Sequence, residues 1–225
     1  MTNELMDDVA APRAPLLRSA LRGTFYLLLA AVGVPVLLVV GLVVVYAVER
    51  GTGEGFPEVA PAVMAERVTS RTQELYDVAG LGGELPAGQS GGDNHAAENA
   101  LSAEVCYPDG LESMADEPEK GSYRLGHDWR IADVSEAEGA AALGRLRDHL
   151  EKTGWDVTAF RESGNDRELR AERRDGSDGG RERVVVTWWS YWRTLDGFTA
   201  MPCAYDPSGV GGEDSADSLE PPTLR

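Results

Sequence analysis

Three histidines (His95, His127, His149) and two cysteines (Cys106, Cys203) are the side chains best suited to hold a metal or assist a nucleophile. Their spacing points away from both kinds of chemistry. No histidine stands at ligand spacing from another or from a cysteine, and there is no CxxC pair. His127 falls on the apolar side of an alternating segment, which predicts a hydrogen-bonded core or edge histidine rather than a ligand. His149 lies on a charged helix surface and His95 in a loose loop. The chain has no G-x-S-x-G, P-loop, H-E-x-x-H or dinucleotide fingerprint. Two acidic stretches, "LESMADEPE" at 111–119 and "DGSDGGRE" at 175–182, carry oxygens that calcium uses. However, Asp175, Ser177 and Asp178 lack the register of a calcium loop and read as a hairpin turn. The expectation is no catalytic constellation, no metal and no cofactor.

The stretch "VVVTWWSYW" at 184–192 holds three of the five tryptophans. Alternation separates Val184, Val186 and Trp188 from Val185, Thr187 and Trp189, so one of the two adjacent tryptophans faces a core. Trp188 is assigned there. Trp189, Tyr191 and Trp192 are the candidate binding residues, either as a protein contact or as an aromatic grip on cell-wall carbohydrate. Core packing is the competing reading for the same rings.

The elements that must position these residues begin with a membrane segment. Residues 23–48, "GTFYLLLAAVGVPVLLVVGLVVVYAV", carry no charge, and a bilayer core needs only about 20 apolar residues in a helix. Tyr26 and Tyr46 stand near its two ends, where aromatic rings favour the interface. The run is too long for a cleavable signal peptide and lacks a cleavage motif, so it reads as an uncleaved, single-pass signal anchor. Arg13, Arg18 and Arg22 precede it, which keeps the N-terminus cytoplasmic and places the bulk of the chain outside.

Residues 1–22 balance those three arginines against Glu4, Asp7 and Asp8, so the whole net charge of −17 lies beyond the span. Such a domain is repelled by nucleic acid and by anionic polymers. The partners expected are therefore the membrane and an envelope protein, with no nucleic acid.

Beyond the span, residues 49–105 form a juxtamembrane linker with a helix near 62–80 and a loose loop over 82–104. The compact domain spans 106–205. "YRLGHDWRI" alternates with period two and predicts a strand. "SEAE" at 135–138 is a capping box opening a helix over 135–153, with Leu143, Leu146 and Leu150 on one face. "WDVTAFRES", "ELRAERR", "RERVVVTWW" and "LDGFTAMPC" then read as hairpin-linked strands. The fold class expected is α+β: a transmembrane helix, then a disulfide-stapled two-layer sandwich of one main helix on a mostly antiparallel sheet. Trp189 would decorate the open face, under helix 62–80. Residues 206–225 read as a disordered acidic tail. Cys106 and Cys203 bracket the domain and, in an oxidising compartment, are expected to pair.

Arginine greatly outnumbers lysine, which occurs only at Lys120 and Lys152, and alanine and glycine are abundant. This usage fits a high-GC, actinobacterial genome. A signal anchor, a domain framed by Cys106 and Cys203, a Trp129 strand and a leucine-faced helix followed by "GW" together resemble the small membrane-anchored exported proteins of streptomycetes and their relatives. The resemblance covers about residues 24–203. It implies the topology and a stapled α+β domain, and brings no catalytic residue with it. The function expected is a non-enzymatic, membrane-anchored interaction or envelope accessory module. A peptidoglycan-binding or peptidoglycan-modifying protein is the alternative.

Overall fold

A computed structural model of the chain describes residues 33–45, 55–88, 98–107, 117–163, 165–175 and 180–225. It falls into two units, Met1–Thr52 and Gly53–Arg225. In the first, residues 33–45 form helix α1, whose apolar side chains are exposed. Among the described residues no helix is long and apolar enough to cross a membrane. The rest of the expected 23–48 span lies outside them.

The second unit opens with helix α2 (Pro61–Ala79). Pro61 sits in the first turn, where a missing N–H costs nothing, and Gly80 ends the helix in the left-handed region with its N–H on the Tyr76 carbonyl. Helix α3 (Glu136–Lys152) starts at the expected capping box, with Ser135 and Glu138 each satisfying the other's backbone N–H. The strands are β1 (Glu98–Glu104), β2 (Ser122–Ile131), β3 (Asp156–Ser163), β4 (Asp166–Asp175), β5 (Gly180–Trp189), β6 (Thr194–Ala200) and β7 (Ala204–Tyr205). They lie in the order β1-β2-β6-β5-β4-β3, with β7 also on β2, and all the named pairs are antiparallel.

Helix α3 carries the chain from β2 to the far edge. The meander β3–β6 then brings it back to β2. That return sets Cys203, just after β6, beside Cys106, just after β1. The two form the expected disulfide, with Cα atoms 6.1 Å apart.

Three expectations need correction. First, two helices cover the sheet rather than one. Leu75, Tyr76 and Ala79 of α2 join Leu143, Leu146 and Leu150 of α3 in one core with Trp129, Leu169, Val186 and Trp188. Helix α2 therefore lies on the same face as α3 and does not cover Trp189. Second, the loose loop expected over 82–104 contains β1, which is poor in apolar residues and gains its order by pairing with β2 along seven positions. Third, the tail expected to be disordered is tied down: Leu224 is fully buried in the main core and exchanges two backbone hydrogen bonds with Leu85, at 2.9 and 3.0 Å. Two apolar anchors, Leu219 and Leu224, are enough to dock an otherwise polar segment.

Two glycines set how closely the layers approach. A Cβ at Gly139 of α3 would fall 2.4 Å from Trp188, and one at Gly197 of β6 would fall 2.0 Å from the Trp129 indole. Each glycine is the seat of a tryptophan ring. Gly197→Ala is expected to lower the unfolding free energy by about 3 kcal/mol, because a full-size indole beneath a two-helix layer has nowhere to move. Gly144→Ala, on α3 with open space around it, is expected to be neutral or stabilising by up to about 1 kcal/mol. Urea denaturation of both variants checks the pair, and equal effects would contradict it.

Candidate interaction surface

The period of two in each strand divides the sheet into two unlike faces. Tyr123, Leu125, His127 and Trp129 of β2, and Val184, Val186 and Trp188 of β5, point to the helices and are buried apart from solvent. Trp188 is thus the core member of the tryptophan pair, and its indole N–H donates to the Val134 carbonyl at 3.2 Å. The opposite residues form cross-strand rows on the other face. One row runs Glu98, Arg130, Asp196, Thr187, Glu168. The next runs Ala100, Asp128, Phe198, Val185, Arg170. Both α2 and α3 and the C-terminal segment pack on the first face, and none of the described helices of this unit lies on the second.

The candidate residues Trp189, Tyr191 and Trp192 come together at one end of this sheet. Residues 190–193 form the turn between β5 and β6. It is held from below by Asp166, which accepts from the Ser190 N–H and hydroxyl at 2.8 Å each. The Arg193 carbonyl is bound by the Val134 N–H at 2.7 Å, with Arg193 itself in the left-handed region. Trp189 meets Trp192 edge-on with centroids 5.7 Å apart, and Tyr191 meets Trp192 edge-on at 6.1 Å. Trp189 and Trp192 are half-buried, whereas Tyr191 is 87% exposed. A braced turn thus holds out a ring that gains nothing from the domain's own core.

The turn stands at the end of the sheet where Ile131 pairs with Leu195. The chain enters the domain at the other end, where Val59 binds the Tyr205 carbonyl and Tyr205 pairs with Ser122. Ten residues of β2 separate those ends, roughly 30 Å at the rise of a strand.

The open face is laced by ion pairs. Arg130 donates twice to Asp196, at 3.0 and 2.8 Å, and lies 3.3 Å from Glu98. These bonds to Asp196 raise the pKa of its guanidinium. Glu168 sits between Arg161 and Arg170, and its hydrogen bond to Arg170 draws its pKa down. Asp128 differs. It accepts from the Ser102 hydroxyl at 2.8 Å and makes no ion pair among the described residues. Burial, together with the charges of Glu98 and Glu104, pushes its pKa up. It borders a hollow of about 170 Å3 walled by Phe198 and Trp189. Gly126 seats one of its walls, since a Cβ there would fall 2.5 Å from the Phe198 ring.

The helix side holds a second polar group. Glu182 is buried between Arg173, at 2.7 Å, and Arg71, at 3.5 Å, while His149 binds Glu74 at 2.8 Å. A groove of about 390 Å3 lies over it, bordered by Met64, Arg67, Met201 and Cys203. The charges at its base are matched by one another, so this network fastens α2 and α3 to the sheet. His127 is an interior histidine, as expected, with Nε2 2.7 Å from Asn99 Oδ1. His95, most of the acidic stretch at 111–119 and half of that at 175–182 lie outside the described residues. Among the described residues no three ligating side chains form a group that could hold a metal ion.

The hollow beside Asp128 is the feature that reading the sequence missed. Its signal was present in "YRLGHDWRI", where Gly126, Asp128 and Arg130 share the face opposite the apolar one, and a glycine inside a strand marks a close approach. Comparison of the chain with family models, with curated proteins and with solved structures returns no match.

Proposed function

We propose that the protein is a membrane-tethered, non-catalytic module that acts outside the cell by protein–protein contact through the 189–192 turn. The observation carrying this reading is Tyr191, held almost wholly in solvent on a braced turn and edge-on to Trp192. Tyrosine and tryptophan contribute large rigid contact areas with a polar handle, and they dominate binding energy at interfaces. The edge-on geometry favours a protein over a glycan: rings at 61° and 77° to one another present a wedge, not the shared flat surface on which sugar rings stack. The tether rests on the uncharged 23–48 run and the arginines before it, and an extracytoplasmic location is in keeping with the disulfide. Within the second unit the chain enters at one end of the sheet, and the turn stands at the other.

A photo-crosslinking amino acid at position 191 is expected to trap a discrete envelope protein, while the same residue at Glu151, on the exposed side of α3, traps none. Tyr191→Ala and Trp192→Ala are expected to abolish co-purification of that protein and to leave sedimentation with peptidoglycan unchanged. Loss of peptidoglycan binding instead would replace the protein partner with a wall polymer. Alkaline phosphatase joined after Arg225 through a flexible linker is expected to be active, and an inactive fusion would reverse the topology.

A further inference from the structure

We propose that the open face of the sheet receives a basic segment of a partner protein, with one lysine or arginine side chain seated beside Asp128 between Phe198 and Trp189. This rests on reading the domain as an interaction module; the patch shares Trp189 with the aromatic cluster at the turn but does not include Tyr191.

Four observations carry it. The hollow of about 170 Å3 has room for the outer part of one long side chain, not for a whole small-molecule ligand. Its rim carries Glu98, Asp128 and Asp196 against Arg130 alone, and Arg130 is already shared by two of these carboxylates. Asp128 is left with a hydroxyl donor and no ion pair among the described residues; burial above all, with Glu98 and Glu104 beside it, pushes its pKa up against the weaker pull of Arg130. The walls are aromatic and aliphatic, with Phe198, Trp189 and Val185. The ring faces attract a cation, and the apolar surface suits the methylene stem of lysine or arginine.

The net charge of −17 selects among occupants. A second copy of the chain would bring like charge to like charge, and an anionic polymer would be repelled, whereas a basic segment would be steered in.

The test uses the full chain in neutral detergent at low salt. The probe is a fluorescein-labelled peptide of alternating lysine and threonine, set against the same peptide with every lysine acetylated. Anisotropy is expected to show binding of the first and at least tenfold weaker binding of the second. Asp128→Asn is expected to weaken the lysine peptide about tenfold and Trp189→Leu about threefold. Tyr191→Ala is expected to leave it unchanged. Far-ultraviolet circular dichroism of each variant confirms that it is folded.

Equal binding of the two peptides, or undiminished binding to folded Asp128→Asn, would overturn the proposal. Loss of binding in Tyr191→Ala alone would move the segment to the turn, and so overturn it too. A dimer seen by sedimentation and dissolved by Asp128→Asn would assign the face to a second copy instead. If crosslinking at position 191 fails while binding that depends on Asp128 stands, the turn is wrong and the face is right.

Discussion

Replacing both cysteines, Cys106→Ala with Cys203→Ala, is expected to cost about 4 kcal/mol of folding stability. The bond spans 97 residues. Chain-entropy bookkeeping puts the closure of a loop of that size at roughly 4–5 kcal/mol, and losses from native disulfides in small exported domains run from about 2 to 5. The topology gives the cross-link its effect. Between the two cysteines lie β2, α3 and the whole β3–β6 meander, whose order must close by setting β6 on β2, two strands separated in sequence by α3, β3, β4 and β5. Nothing local nucleates that pairing, so the unfolded chain is the state the bond restricts most. The cysteines themselves add little packing, and alanine leaves only a small void at Cys106. Urea unfolding of the wild type, with and without reductant, and of the double variant checks this. Reduced wild type and the double variant should share one lowered midpoint, with reductant inert on the variant. A loss below about 1 kcal/mol would show that the fold closes its sheet without the bond.

Most of this architecture was legible in the residues because local periodicity and turn chemistry agree there. Ser135 and Glu138 announced α3, and the alternation of Tyr123, Leu125, His127 and Trp129 announced β2 and its buried face. The same alternation separated Trp188 from Trp189. What was illegible depends on partners far away in sequence. Glu98–Glu104 has too few apolar residues to declare a strand, and becomes one because β2 offers an edge. Helix α2 carries an apolar stripe that would fit either face of a sheet, and only the packing of Tyr76 on Trp129 shows which it took. Leu224 is one of a few scattered apolar residues in a polar tail, and its value lies in Leu85, well over a hundred residues earlier. The hollow at Asp128 likewise exists only because β6 returns to lie between β2 and β5. A one-dimensional pattern displays which residues share a face. It does not display which strands are neighbours on it.

Acid is expected to destabilise the protein by about 3 kcal/mol between pH 6.5 and pH 4, through one buried histidine. His127 is fully buried, and loss of solvent pushes its pKa down from the ordinary 6.5 to about 4. Its tautomer follows from its neighbour. The Asn99 amide nitrogen donates to the Leu85 carbonyl at 2.8 Å and the Pro222 carbonyl at 3.0 Å, so the Asn99 oxygen is the acceptor and His127 Nε2 carries the proton. Nδ1 is then a bare acceptor with no partner among the described residues. Around it are Leu101 and Asn99 of β1 and Thr199 of β6. On α2, Thr72 is the buried residue one turn from each of Val68 and Tyr76, which share clusters with Leu125 and Trp129. None of these is a carboxylate, so a second proton would bring a charge with nothing to answer it. The sign follows directly. Above pH 6.5 the histidine is neutral in both states and the stability is whole. As the pH falls below 6.5 the unfolded chain binds a proton that the folded chain refuses, and stability declines until the folded pKa near 4 is reached. The difference of about 2.5 units corresponds to roughly 3 kcal/mol. Asp128, on the opposite face, has a raised pKa and gains stability on acidification, and the variant chosen separates it out. His127→Gln keeps an amide N–H for Asn99 and removes the titration. Chemical denaturation of both proteins from pH 8 to pH 4 should show the wild type losing about 3 kcal/mol more than the variant, whatever their difference at pH 8. Parallel profiles would mean that His127 can be protonated in place, its added Nδ1–H donating a hydrogen bond to a neighbouring hydroxyl such as that of Thr199.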